Sequence, residues 1–304
     1  MKSPWTLLWQ TKNWLPGIVF IIAYLISRLP YRLQMRIGKG LGLMLFYFNL
    51  GHRGKNIART NLALCFPHLS SAKRNILLKK NCINVGMGLI ETALAWFGSN
   101  KKLPPLTIHG KEHWQACHTA KKPILLLSAH FTCLEIAGRL TAEQLPITIV
   151  YRPQKIKFLD YVVQYYRQKI YTGIIARDNL RQVIHCLKSA GTVWYTPDID
   201  AGAHNSVFVP FFDIATATIT TPARLAAHTG AICLGCFFYR KKDLSGYELF
   251  LTPPLENFPS GDALTDATRV NQLIEAAIKK SPAEYLWQYK RFKTRPNNEP
   301  GIYG

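Results

Sequence analysis

Residues 123–140, PILLLSAHFTCLEIAGRL, decide the reading of the whole chain. A short aliphatic run ends at a small-residue turn carrying His130, and a helical pattern follows with Glu135 in its first turn. Working outward, the same alternation recurs. LTIHG (106–110), ITIVYR (147–152), TVWYTP (192–197), AICLGCFFYR (231–240) and YELFLTPP (247–254) read as strands. Helical patterns lie at about 131–143, 156–170, 178–189, 221–229 and 264–280. Such alternation predicts an α/β fold, a mixed, largely parallel sheet flanked by helices, with the two adjacent late strands forming an antiparallel edge.

Upstream the pattern is helical. Residues 52–100 read as two helices broken by a turn at Pro67, with Ser70 or Ser71 as the second N-cap, and residues 101–105 read as a linker. At the N-terminus, LPGIVFIIAYLI (15–26) is an uninterrupted apolar run, preceded by Trp5, Trp9 and Trp14 and followed by Arg28, Arg32, Arg36 and Lys39. This is the pattern of a membrane-anchoring helix, short of the ~20 residues of a full span unless the interfacial residues extend it. A signal peptide fits poorly, because the basic residues follow the run and no small-residue cleavage site is present. The expected organisation is an anchor with its basic flank over 1–40 and an α/β domain over 41–304. The charge asymmetry, with only Lys2 and Lys12 ahead of the run, puts that domain on the cytoplasmic side of a transmembrane helix. A second apolar run, Leu41 to Leu50, fits a core helix and an interfacial one equally.

The chain of 304 residues has a net charge of +21, and 48% of its residues are hydrophobic, so it is a folded protein suited to a polyanionic partner rather than a disordered basic tail. Its seven cysteines are scattered without a disulfide framework, which points to a reducing compartment. Cys233 and Cys236 form a lone CxxC inside an apolar run; without a second ligand pair they read as core residues, and no metal site is expected.

The chemistry is expected at the carboxyl ends of the parallel strands, where His130 lies. With His130 on the turn before the helix, Glu135 can reach one imidazole nitrogen and fix its tautomer, while the other takes a proton from an alcohol. The spacing alone is weak, since roughly half a match arises by chance in such a composition. No nucleophile elbow, phosphate-binding glycine loop, dinucleotide fingerprint or zinc-protease motif competes with it. Cys133 is a candidate nucleophile beside the histidine, although its place in the helix suits a core residue.

Several blocks, in order, carry a resemblance. They are NIARTNLALCFPHLS (56–70), HFTCLE (130–135), VYRP (150–153), the segment around Arg167, ARDNLRQVI (176–184), VWYTPDIDAG (193–202), NSVFVPFF (205–212) and YLWQYKRFKTRP (285–296). Together they resemble the late acyltransferases of lipid A biosynthesis, the lauroyl and myristoyl transferase group of the glycerolipid acyltransferase superfamily. That resemblance implies acyl transfer from an acyl carrier protein thioester to a hydroxyl on a 3-hydroxyacyl chain of a phosphorylated lipid A precursor. It also implies a place at the bacterial inner membrane among its lipids. His130 would be the general base and Glu135 its orienter. Arg167 would support catalysis or phosphate binding, and Arg152, Arg177 and Asp198 fall in shared blocks as candidate substrate contacts. Arg152 and Asp198 suit an ion pair at strand ends equally well. The basic surface suits an acidic carrier protein and a phosphorylated lipid, and the reaction needs no metal or organic cofactor. Acyl transfer to another lipid, thioester hydrolysis, and a non-catalytic protein that binds anionic lipid are the alternatives. Nucleic acid is disfavoured by the N-terminal segment and the intact His130 and Glu135 motif.

Overall fold

The computed structural model describes residues 3–7, 14–48, 51–100, 103–204 and 206–303. Trp9, the lysines at 2 and 12, Asn49 and Leu50, Lys101 and Lys102 of the linker, and Asn205 lie outside the described residues.

A seven-stranded sheet organises the chain in the order β1-β9-β8-β2-β5-β3-β4. Its strands are β1 (Leu106–His109), β2 (Ile124–Leu127), β3 (Thr148–Tyr151), β4 (Gly173–Ala176), β5 (Thr192–Tyr195), β8 (Ile232–Arg240) and β9 (Tyr247–Pro254). From β8 through β2, β5 and β3 to β4 all neighbours are parallel. The late strands β8 and β9 pair antiparallel as expected, but β1 pairs parallel to β9 and takes the edge. All four residues of β2 are fully buried, as a central parallel strand covered on both faces requires. Cys233 and Cys236 are buried in β8, where burial pushes the Cys233 thiol up to about 12.

The expected helices appear as α3 (His52–Cys65), α4 (Ser71–Phe97), α6 (Leu134–Ala142), α7 (Lys157–Ile170), α8 (Leu180–Lys188), α9 (Thr221–Thr229) and α10 (Ala263–Lys280). The Ser70 hydroxyl caps α4 by accepting the Lys73 N–H. Four elements were not foreseen. These are β4, the helix α5 (Lys111–Thr119), and a separate hairpin of β6 (Ser206–Phe211) and β7 (Ile214–Ile219).

The N-terminal apolar run forms α1 (Trp14–Ser27), a helix of 14 residues. At 1.5 Å per residue it is about 21 Å long, short of a ~30 Å hydrocarbon core. No helix among the described residues is long and apolar enough to cross a membrane, so the expected transmembrane helix is not realised. Part of its apolar surface is instead used within the protein. Phe20 is 6% exposed and meets Phe97 of α4 edge-to-face at 5.0 Å and Phe158 of α7 at 6.1 Å. The opposite side, with Ile18, Val19, Ile22 and Leu25 between 50% and 61% exposed, faces outward.

The helix α2 (Tyr31–Tyr47) runs across residue 40 and lies against α4. Contact is so close that a Cβ at Gly42 would collide with the backbone at Cys82 and one at Gly86 with the backbone at Gly38 and Gly42. The second apolar run is therefore packed through Gly42 on one side and leaves Met44, Tyr47 and Phe48 exposed on the other.

Candidate active site

The site forms where β2 and β5 lie side by side and end together. The Ser128 N–H donates to the Tyr195 carbonyl at 2.9 Å, carrying the pairing one residue past β2, and the chain then turns at His130. Asp198, on the loop after β5, receives that turn with both carboxylate oxygens. The His130 backbone N–H donates to Oδ2 at 2.8 Å, and Nδ1 lies 2.7 Å from Oδ1. The imidazole thus has its tautomer set by Nδ1–H donating to a carboxylate, which leaves Nε2 as the basic nitrogen. Asp198 is buried and the His130 side chain is 17% exposed, so the pair opens to solvent only through the ring. Burial raises the Asp198 carboxyl, but the charge and hydrogen bonds of His130 outweigh it and hold it below the usual range.

A C-terminal segment straps the histidine turn. The Thr132 N–H donates to the Glu284 carbonyl and the Leu286 N–H to the His130 carbonyl, each at 2.8 Å, and Phe131 bridges to Tyr285. The strap is itself held by helical asparagines. Asn81 of α4 donates to the carbonyls of Ala283 (3.0 Å) and Tyr285 (2.7 Å). Asn61 of α3 donates to those of Trp287 (2.7 Å) and Tyr289 (2.8 Å). Tyr289 then places its ring edge-on to His130, with centroids 5.3 Å apart. Neither asparagine was singled out from the sequence. The available signal was a polar, weak helix former at a position the helix buries.

Glu135 does not hold the imidazole. Because α6 begins at Leu134, Glu135 sits in the helix and its carboxylate meets Arg167 of α7, which donates from Nε at 3.0 Å and from Nη2 at 2.6 Å. The Trp96 indole N–H of α4 donates to the same carboxylate at 2.8 Å. Burial raises the Glu135 carboxyl, yet the Arg167 guanidinium and the Trp96 donor outweigh it and hold it below its ordinary value. The carboxylate that holds the imidazole is Asp198 instead, and Asp198 bonds His130 rather than the Arg152 considered for it. A cleft of 260 Å³ opens beside Trp96, lined by Asn100, Arg139, Glu143, Tyr166 and Lys169.

Arg152 follows β3 and Arg177 follows β4; both are exposed at the edge of the sheet where His130 lies. The Arg177 N–H donates to the Tyr151 carbonyl at 2.9 Å, fixing the spacing of these two loops. Cys133 is fully buried at the N-cap of α6, and burial pushes its thiol well above the ordinary value, which unsuits it as a nucleophile.

Fold and site together define an α/β protein with a carboxylate-held imidazole at the carboxyl ends of parallel strands. The family model described as bacterial lipid A biosynthesis acyltransferase matches residues 3–294, and the chain belongs to that family. It is 37% identical over 300 residues to the lipid A biosynthesis lauroyltransferase of Escherichia coli K12, spanning 98% of this chain and 97% of that protein. It is 33% identical to the lipid A biosynthesis palmitoleoyltransferase of the same organism, over 96% of this chain and 95% of that one. A lipid A biosynthesis acyltransferase of Haemophilus influenzae is 34% identical over 96% of this chain and 94% of its own length. Among solved structures, a 1-acyl-sn-glycerophosphate acyltransferase from Thermotoga maritima aligns at 15% identity and a TM-score of 0.37, over 83% of this chain and 99% of that one; the fold assignment rests on the sheet itself.

Proposed function

We propose that this acyltransferase moves a fatty acyl chain from an acyl carrier protein thioester to a hydroxyl on a 3-hydroxyacyl chain of a phosphorylated lipid A precursor, with His130 as general base. The observation that carries the reading is the doubly bonded pair of Asp198 and His130, which leaves Nε2 as the free basic nitrogen. Nε2 takes the hydroxyl proton as the oxygen attacks the thioester carbonyl. The C–S bond then breaks, and the imidazolium returns the proton to the departing thiolate. Asp198 stabilises that imidazolium without itself being protonated.

Glu135 and Arg167 form the second charged pair of the site. Glu135 engages two of the three guanidinium nitrogens and so fixes the plane of Arg167, a group suited to phosphate or to a developing oxyanion. Arg152 and Arg177 are exposed cations at the same edge, suited to the phosphates of the acceptor.

Residues 1–40 serve as the membrane-seating segment and 41–304 as the catalytic domain, on the cytoplasmic side of the inner membrane. The support is the outward apolar side of α1 with Arg28, Arg32, Arg36 and Lys39 just beyond it, a combination suited to lying in an anionic interface.

The test is to incubate purified protein with carrier-protein thioesters of several chain lengths and several lipid acceptors, and to weigh the products by mass spectrometry. A lipid A precursor heavier by one acyl chain is the expected product. Transfer confined to a phosphoglycerol acceptor, or release of free fatty acid alone, overturns the reading.

A further inference from the structure

Glu91 of α4 and Arg240, the last residue of β8, form a charged pair that the acyl-transfer step does not use. Their side chains are 0% and 3% exposed. A pair so far from water is weak evidence of stability, because well-packed apolar side chains of similar volume often serve as well. What the two charges hold besides each other therefore matters more.

The guanidinium is fully engaged. Nε and Nη2 donate to the two Glu91 oxygens at 2.6 and 2.5 Å. Nη1 donates to the Thr132 hydroxyl oxygen at 2.9 Å, to Asn84 Oδ1 at 3.0 Å and, more loosely, to the Glu284 carboxylate at 3.4 Å. The Arg240 backbone N–H donates to that same carboxylate at 3.0 Å. On the far side the Tyr247 hydroxyl donates to Glu91 at 2.5 Å and fixes it against the arginine.

Thr132 lies two residues after His130, in the turn between β2 and α6. Because β2 runs between β5 and β8, that turn meets a charged partner from each neighbouring strand. Asp198, on the loop after β5, takes His130, and Arg240, at the end of β8, takes Thr132. Helix α4 closes a third side. Asn84, Gly88 and Glu91 recur at the i, i+4, i+7 spacing of one helix face. A Cβ at Gly88 would come within 2.2 Å of the Thr132 carbonyl oxygen, so the helix backbone lies directly against the turn.

We propose that Arg240, held by Glu91, is a positioning residue for acyl transfer: through the Thr132 hydroxyl it fixes the turn that carries His130, on the side opposite Asp198. The proposal rests on the reading of His130 as base.

Thr132→Val deletes the hydroxyl that Arg240 meets and keeps the shape of the side chain. kcat should fall roughly tenfold or more, since a small displacement of the base from the reacting atoms is costly, with KM little changed. Thr132→Ser restores the acceptor and should restore kcat. Thr141→Val is the control. It deletes a buried hydroxyl of α6 bonded to the Ala137 carbonyl, so it should lower the melting temperature and keep the wild-type kcat. Arg240→Lys keeps the charge without the planar fork and should be slow in the same way. Adding Thr132→Val to it should slow it little further, because the two act as one unit. A wild-type kcat in Thr132→Val, a Thr132→Ser protein equally slow, an equal loss in Thr141→Val, or multiplicative losses in the double variant each overturn the proposal. If Arg240→Lys does not fold, the three threonine variants decide. His130→Ala is run alongside. Full activity there defeats the underlying reading, whereas its inactivity beside a normal Thr132→Val defeats this inference alone.

Discussion

Asp198 grips His130 twice, by its backbone N–H at 2.8 Å and by Nδ1 at 2.7 Å, so one carboxylate sets both the place and the tautomer of the imidazole. Asp198→Asn presents an amide in its place, which can stabilise the wrong tautomer and leaves the imidazolium without its counter-charge. Turnover should fall roughly 10²- to 10⁴-fold, as for His130→Ala. Because the two act as a unit, the double variant should be little slower than either single one. Steady-state rates on folded protein check this, and multiplicative losses would assign the residues separate roles.

Glu135 and Arg167 give a different pattern. Their side chains are 13% and 21% exposed, so Arg167→Ala strands a carboxylate that burial already disfavours. Loss of stability by about 3 kcal/mol is expected, the lower end of what breaking a buried pair costs, together with loss of acyl transfer. Lys279→Ala, which removes an exposed cation, should change neither by much. Thermal melts and rates on the two variants compare them directly.

Acid should act through the same carboxylates. Asp198 and Glu135 are both held below their ordinary values in the folded protein, while unfolded Asp and Glu titrate at about 3.9 and 4.3. The stability they contribute is therefore complete above those unfolded values and is lost as pH falls through the lowered folded ones. Denaturant midpoints between pH 3 and 6 should drop on the acid side, and Glu135→Gln should flatten that drop. An equally steep fall in the variant would clear Glu135 of the effect.

The net charge of +21 predicts salt-sensitive encounter with an acidic carrier protein and a phosphorylated lipid. The second-order rate constant should decline as the Debye length shrinks from roughly 30 Å at 0.01 M to 10 Å at 0.1 M. A flat response removes that role for the charge.

At the membrane, Val19→Asp and Ile22→Asp alter the outward side of α1 and should release the protein from vesicles while leaving its melting temperature near the original. Phe20→Ala, which opens the packing with Phe97 and Phe158, should instead lower the melting temperature. Sedimentation with anionic vesicles and a thermal melt separate the two sides of one helix.

Much of the sheet was legible because its aliphatic runs are bounded by turn residues, as in ILLL before Ser128. The strand β4 has only the four residues GIIA, and α5 buries only Trp114 and Cys117, so neither carried a strong periodic signal. His130 could be read from its place after a strand. Its partner could not, because Asp198 is 68 residues away and reaches it only through the adjacency of β2 and β5. Sequence nearness instead favoured Glu135, which the start of α6 at Leu134 carries into the helix and onto Arg167.

The strap over the histidine turn has a consequence for the order in which the enzyme comes into being. His130 and Asp198 leave the ribosome well before residues 281–292, whose main chain closes the site. Until then the turn lacks the carbonyl and N–H partners that Glu284 and Leu286 provide. Completion of the candidate site is thus tied to the synthesis of residues 281–292, and a product truncated before the strap carries His130 and Asp198 without the segment that sets them.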